Sequence, residues 1–94
     1  MNKIKVSGKN NKHKVLMYAI STCAWCKKTK KFLNDSDVEY EYVDVDLTND
    51  EDHEKIREDM IKRGEEPSYP TLIVDNKTVI TGLRKDKIKE ALEF

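Results

Sequence analysis

The chain has 94 residues and a mass of 11.0 kDa, room for one domain with one modest core. Hydrophobic residues make up 37% and charged residues 38%, with a formal net charge of zero. Multi-domain enzymes and large cofactor folds are excluded by size, and two cysteines are too few to staple a secreted domain. No apolar run approaches the roughly 18 residues of a membrane span. The start, Met1-Asn2-Lys3-Ile4-Lys5, leads into polar residues rather than a signal-peptide apolar region, so a cytoplasmic protein is expected.

Charge is divided along the chain. Residues 1–34 carry nine Lys and no acidic residue, and residues 35–66 carry fourteen acidic residues and four basic ones. From Pro67 onward the balance is close to neutral.

Ile4 and Val6 alternate with Lys3, Lys5 and Ser7 before a Gly8-Lys9-Asn10-Asn11 turn, so residues 1–12 read as an extra edge strand or a loose N-terminal arm, and 13–94 as the domain. Val15 to Ile20 is a continuous apolar run, suited to a buried strand. From Ala24 the period becomes helical: Trp25, Thr29, Phe32 and Leu33 recur between lysines, with Cys26 on nearly the face of Thr29 and Leu33. The helix should end at Asn34-Asp35-Ser36-Asp37, before a Tyr- and Val-rich strand over Val38 to Val45. Thr48-Asn49-Asp50-Glu51 has capping-box spacing, and Ile56, Met60 and Ile61 give one apolar stripe on a polar helix that Gly64 can stop. Thr71 to Val74 and Thr78 to Thr81 flank Asp75-Asn76-Lys77 as a β-hairpin. Ile88, Ala91 and Leu92 mark a short last helix. The expected order is strand, helix, strand, helix, strand, strand, helix.

Cys23-Ala24-Trp25-Cys26 falls at the first strand-to-helix junction and carries the chemistry. A thiolate is the attacking species, and an ordinary thiol with a pKa of about 8.5 is mostly protonated at neutral pH. The first turn of a helix offers unpaired N–H groups and a partial positive charge, which favour the Cys23 thiolate. Two intervening residues place Cys26 where it can close a disulfide with Cys23, deeper in the helix. Cys23 is therefore the expected nucleophile and Cys26 the resolving thiol. Two thiolates cannot complete a tetrahedral zinc site, and His13 and His53 lack finger-like spacing to them, so no metal site is expected. Trp25 reads either as an exposed docking ring or as a helix-packing aromatic. Lys27, Lys28, Lys30 and Lys31 read either as a solvated face or as charges that favour the thiolate and guide an acidic partner. No basic-aromatic motif supports a nucleic-acid partner.

The Cys23-Ala24-Trp25-Cys26 motif after Val15 to Tyr18, Ser68-Tyr69-Pro70 before a strand, and Thr81-Gly82 before the last helix together resemble a glutaredoxin, over roughly Lys14 to Leu92. The resemblance implies an α/β thioredoxin-like fold: a four-stranded mixed sheet flanked by three helices on its two faces. It implies a dithiol–disulfide oxidoreductase acting as a monomeric electron carrier, with no required cofactor. It also implies that Pro70 is cis beside the cysteines. The Tyr69 backbone would then be free to pair with an extended substrate segment. Ala24, Trp25, Tyr69, Pro70 and Gly82 would contact substrate, Gly82 through close backbone approach.

The departures bear on the electron donor. Glutaredoxins usually have Pro-Tyr where Ala24-Trp25 stands, and many have a Lys where Ile20 stands. Many place an acidic residue soon after the late glycine, where this chain has Leu83-Arg84-Lys85 and only later Asp86. Two polar contacts for glutathione are thus missing. The run Thr81 to Ile88 is similar to glutaredoxin-like redoxins that serve ribonucleotide reductase and draw electrons from a thioredoxin-type reductase, although it lacks the Pro often seen there. The expected partners are protein disulfides, ribonucleotide reductase among the candidates, and a thioredoxin-type or ferredoxin-linked reductase. A conventional glutathione-dependent glutaredoxin is the alternative. An iron–sulfur module sharing a cluster between two subunits stays open through the non-Pro Ala24, as does a docking subunit without turnover.

Overall fold

The computed structural model describes residues 3–94; Met1 and Asn2, the start of the expected N-terminal arm, lie outside them. The elements are β1 (Ile4–Val6), β2 (Val15–Ala19), α1 (Ala24–Asp35), β3 (Tyr40–Asp44), a 3-10 turn (Val45–Leu47), α2 (Asp50–Lys62), β4 (Thr71–Val74), β5 (Thr78–Thr81) and α3 (Lys85–Leu92). One five-stranded sheet runs in the order β1-β3-β2-β4-β5. β2 and β3 are parallel and every other pair is antiparallel. The four-stranded mixed sheet expected is thus β3-β2-β4-β5. The N-terminal segment adds the fifth strand, with Ile4 opposite Tyr42 and Val6 opposite Tyr40.

β2 explains why its sequence is apolar without interruption: both of its faces are covered. Val15, Met17 and Ala19 pack with Leu72, Val74 and Ile80 against Cys26 and Leu33 of α1 and Ile88 and Leu92 of α3. The alternate residues Leu16 and Tyr18 turn with Val43 and Ile73 toward Ile56 and Met60 of α2. The two-residue period of the strands thus sends α1 and α3 to one face and α2 to the other. On the α2 face, the Tyr18 hydroxyl donates to Asp59 Oδ2 at 3.0 Å, which also accepts from Arg63 Nε at 3.1 Å.

Three expectations shift by a residue or a face. β3 is shorter than Val38 to Val45, because its first amides are already engaged: Val38 N–H donates to Leu33 O and Glu39 N–H to Asn10 O, both at 3.0 Å. The cap of α2 is Asn49, whose side chain accepts from Asp52 N–H at 2.8 Å, while Thr48 Oγ1 instead donates to Val45 O at 2.7 Å. On α2 the buried stripe is Ile56 and Met60 alone, and Ile61 is 52% exposed. The stop at Gly64 stands. With φ +84 it lets Gly64 N–H reach Ile61 O and Glu65 N–H reach Met60 O, which satisfies the last carbonyls of the helix. Asp75 and Asn76 both take positive φ at the hairpin turn, where Lys77 N–H donates to Val74 O.

His13 fastens the entry to β2 to two distant segments. Its Nδ1 lies 2.6 Å from Asp75 Oδ2 and its Nε2 3.0 Å from Glu93 Oε2. Carboxylates only accept, so the ring must carry both protons to satisfy both contacts. The hydrogen bond to Asp75, then that to Glu93, raises the His13 pKa above its ordinary value. A raised folded-state pKa means that the clasp stabilises fully below the unfolded value of about 6.5 and fades as pH rises through the folded one. Urea midpoints should therefore fall between about pH 6 and pH 9 in the native chain, and fall less in His13→Gln. Parallel midpoint profiles for the two proteins would remove His13 as the titrating group.

Candidate active site

The cysteines stand where β2 hands over to α1. Cys23 is the N-cap of α1, with φ −78° and ψ 121°, and its Sγ accepts the backbone N–H of Cys26 at 3.2 Å. A cap residue needs a side-chain acceptor for one of the unpaired amides of the first turn, and here sulfur supplies it. Cys23 N–H is tied back to Ile20 O at 3.1 Å, so the approach to the helix is a closed turn. Both thiols are free; Cys23 is half-buried and Cys26 fully buried.

Their environments separate the two pKa values. For Cys23, burial pushes the pKa up. Hydrogen bonds from the Cys26 thiol and from the backbone of Cys26 and Trp25 outweigh it, so the thiol lies below its ordinary value. Cys26 is pushed up, first by burial and then by donating to Cys23. Cys23 is the thiol that ionises first, and the Cys26 thiol donates to it.

Helix lysines were one candidate source of that bias. The structure assigns it to hydrogen bonds instead. Lys30 bears on Cys26, not Cys23, and it is engaged with Asp44 Oδ1 at 3.2 Å while lying 3.8 Å from the Tyr42 ring centroid. Lys27 and Lys28 are exposed, the latter with Nζ 4.6 Å from the Trp25 ring centroid. Trp25 is 58% exposed and takes no part in the buried stripe of α1, which is Cys26, Thr29 and Leu33. Of its two readings, the exposed ring beside Cys23 is the one the structure has.

The segment before β4 packs onto the same core as the cysteines. The Tyr69–Pro70 peptide is cis and Pro70 is buried. Thr71 Oγ1 donates to Ser68 O at 2.8 Å, and Gly82 N–H donates to Pro70 O at 2.8 Å, which fixes this segment from both sides. Cys23, Tyr69 and Leu83 pack against the same core that contains Cys26. Gly82 has φ +78, and apart from its two chain neighbours nothing described lies within 4 Å of where a Cβ would stand. The backbone conformation requires glycine there, and the space beyond it is open. Cys23, Ala24, Trp25 and Cys26 stand at the start of α1, and Tyr69, Pro70 and Gly82 on the β4–β5 side of the sheet, with Cys23, Cys26 and Tyr69 meeting in one core cluster.

One pair was not read from the sequence. Ser21 N–H donates to Asp46 Oδ1 at 2.9 Å and its hydroxyl donates to Asp46 Oδ2. These two bonds, the hydroxyl first, hold the Asp46 carboxyl below its ordinary range. They clamp the loop before Cys23 to the 3-10 turn after β3. Both residues follow the ends of adjacent parallel strands, which is the signal that could have paired them.

A glutaredoxin family model matches residues 15–79, from the start of β2 into β5, with the cysteine pair and the cis proline inside the match. The chain belongs to the glutaredoxin family. It is similar over its whole length to the crystal structure of a glutaredoxin from Methanosarcina mazei Go1, with a TM-score of 0.89, 38% identity and 90% of that chain covered. It is also similar to Methanosarcina acetivorans methanoredoxin, with a TM-score of 0.88, 40% identity and 97% of that chain covered. Among curated proteins, an uncharacterized glutaredoxin-like 8.6 kDa protein in the rubredoxin operon of Clostridium pasteurianum is 32% identical over 79 residues, 84% of this chain and 97% of that protein. A glutaredoxin of this kind is a thiol–disulfide oxidoreductase by fold and family. Among the described residues no group of three or more His, Cys, Asp or Glu could hold a metal ion, and no helix is long and apolar enough to cross a membrane.

Proposed function

We propose that this glutaredoxin is a cytoplasmic, monomeric dithiol electron carrier. Cys23 attacks a target disulfide and Cys26 resolves the mixed disulfide. The carrier is recharged by a thioredoxin-type or ferredoxin-linked reductase rather than strictly by glutathione. The observation that carries the thiol roles is the cap geometry: Cys23 Sγ accepts the Cys26 amide at 3.2 Å while Cys26 is fully buried. The more accessible sulfur is the one whose thiolate is favoured, and the buried one reacts only after a mixed disulfide has formed. The cis Tyr69–Pro70 segment, Ala24, Trp25 and Gly82 guide the substrate. Protein disulfides are the target class, ribonucleotide reductase among the candidates.

The choice of donor rests on what stands at two positions. Ile20 packs against the apolar cluster under α2 and offers no cation to a glutathione carboxylate. Exposed Arg84 and Lys85 follow Leu83, where an acidic residue would meet the γ-glutamyl end. A relative encoded in a rubredoxin operon adds an electron-transfer setting.

The test is the rate at which glutathione reduces the Cys23–Cys26 disulfide, followed by Trp25 fluorescence. Slow or incomplete reduction, in protein that dithiothreitol reduces readily, is the expected result. Fast and complete reduction by glutathione would overturn the donor assignment and leave a conventional glutaredoxin.

A further inference from the structure

The two segments that bound the cysteines carry cations that form no ion pair among the described residues. Lys27 and Lys28 are exposed on the first turns of α1, directly after Cys26. Arg84 and Lys85 are exposed where β5 leads into α3, two and three residues after Gly82, whose N–H is bonded to Pro70 O. The second set reaches α1: Lys85 Nζ lies 5.5 Å from the ring centroid of Phe32, one helical turn beyond Lys28. Among the described residues none of these four makes an ion pair, whereas Lys12, Lys30, Lys31, Lys55 and Arg63 all do. Of the nearby carboxylates, Asp44 is paired with Lys30, while Asp46, hydrogen-bonded by Ser21, and exposed Asp86 keep their charge, so the four cations outnumber the two unpaired carboxylates.

These charges do not act by tuning the nucleophile, whose bias comes from hydrogen bonds. Exposed cations without an ion-pair partner act at longer range, on what approaches. A cleft lined by one sign of charge raises the encounter rate with the opposite sign by about 10- to 1000-fold at low salt. Trp25, 58% exposed with Lys28 against its ring, adds an apolar surface between the cations and Cys23.

We propose that Lys27, Lys28, Arg84 and Lys85 select disulfides set in acidic peptide segments, with Trp25 covering an apolar side chain beside the substrate cysteine. The proposal rests on Cys23 being the nucleophile. Its thiolate attacks the peptide sulfur and expels the substrate's other half as a thiolate, which takes a proton. Cys26 then loses its proton, forms the Cys23–Cys26 bond and releases the peptide thiol, so two electrons pass from the protein dithiol to the substrate disulfide.

The probes are two synthetic peptides of equal length, each with one cysteine disulfide-linked to 2-mercaptoethanol and flanked by either four Glu or four Lys, with bis(2-hydroxyethyl) disulfide as a neutral reference. At low salt the acidic peptide should be reduced at least about tenfold faster than the basic one. The ratio should approach one near 1 M salt, where the screening length is about 3 Å. In a Lys27→Glu/Lys28→Glu/Arg84→Glu/Lys85→Glu variant that keeps the native circular dichroism, the ratio should invert. Equal rates on the two peptides, with the neutral disulfide still reduced, would overturn this proposal alone. A neutral disulfide left untouched would instead bring down the oxidoreductase reading on which it stands.

Discussion

Cys23→Ser should abolish disulfide reduction, and Cys26→Ser should stop the cycle at a mixed disulfide. The first result follows from the chemistry of the attacking atom. A serine hydroxyl at the N-cap can still accept the amide of residue 26, so the helix stays capped and the fold survives. It is not ionised at neutral pH, and turnover should drop by at least about three orders of magnitude, to the background of the assay. The second result follows from the cysteine count: with two cysteines in the chain, loss of Cys26 leaves no thiol to resolve the mixed disulfide, so partners accumulate as covalent adducts on Cys23. The same geometry sets a pH profile. Because its folded-state pKa is lowered, Cys23 should be alkylated by iodoacetamide with a midpoint below the ordinary thiol value of about 8.5, its rate rising with pH through that midpoint. Cys26, buried and shifted the other way, should remain unmodified in the native protein. Removing the donor thiol in Cys26→Ala should move the Cys23 midpoint up. Full activity in Cys23→Ser, or preferential labelling of Cys26, would reverse the assigned roles.

What could be read from the sequence and what could not divides along a physical line. Apolar runs and their period carried the architecture. Val15 to Ala19 is buried on both faces because its residues are apolar in both registers, and the hairpin is visible because Asp75-Asn76 tolerates the positive φ that the turn requires. Cys23 was legible as the helix start because the apolar period changes just after it. The details that failed are those decided by competition among neighbours. Thr48 and Asn49 can both cap a helix, and the choice fell to Asn49 because Thr48 is held by the carbonyl of Val45. Ile61 lies five residues after Ile56, about 140° round the helix, so it turns away from the buried face and stays 52% exposed. The Ser21–Asp46 clamp joins residues twenty-five apart whose proximity depends on β2 and β3 lying parallel and adjacent. No spacing rule within a segment reports such a pair. The role of the lysines could not be settled from their number, since Lys30 folds back on Asp44 and Tyr42 while Lys27, on the same helix, faces solvent.

Leu33→Ala should be among the most damaging core changes, and its effect should reach the active site. Leu33 is completely buried on the inner face of α1, one helical turn beyond Thr29 and two beyond Cys26, within the cluster shared with Leu72, Ile88 and Leu92. Truncation removes apolar contact and leaves a cavity that the sheet and α3 cannot both close, a loss of about 2–5 kcal/mol. In a domain of this size that lowers the melting temperature by about 10–25 °C. Ile61→Ala, at an apolar residue of equal bulk that is 52% exposed on α2, should change stability by less than about 0.5 kcal/mol. The contrast separates buried position from hydrophobic character. Since Leu33 anchors the helix whose first turn holds the Cys23 thiolate, partial loosening of α1 should also weaken the Cys26 amide and thiol bonds to Cys23. In Leu33→Ala, at a temperature where the variant is still folded, the alkylation midpoint of Cys23 should then rise toward the ordinary thiol value. Calorimetry of the two variants with a pH titration of labelling checks both statements. Similar melting temperatures for Leu33→Ala and Ile61→Ala would mean that the core does not depend on the α1 face. A large stability loss with an unmoved Cys23 midpoint would mean that the cap geometry is held locally, by the Ser21–Asp46 clamp and the turn from Ile20 to Cys23 rather than by the packing of the helix.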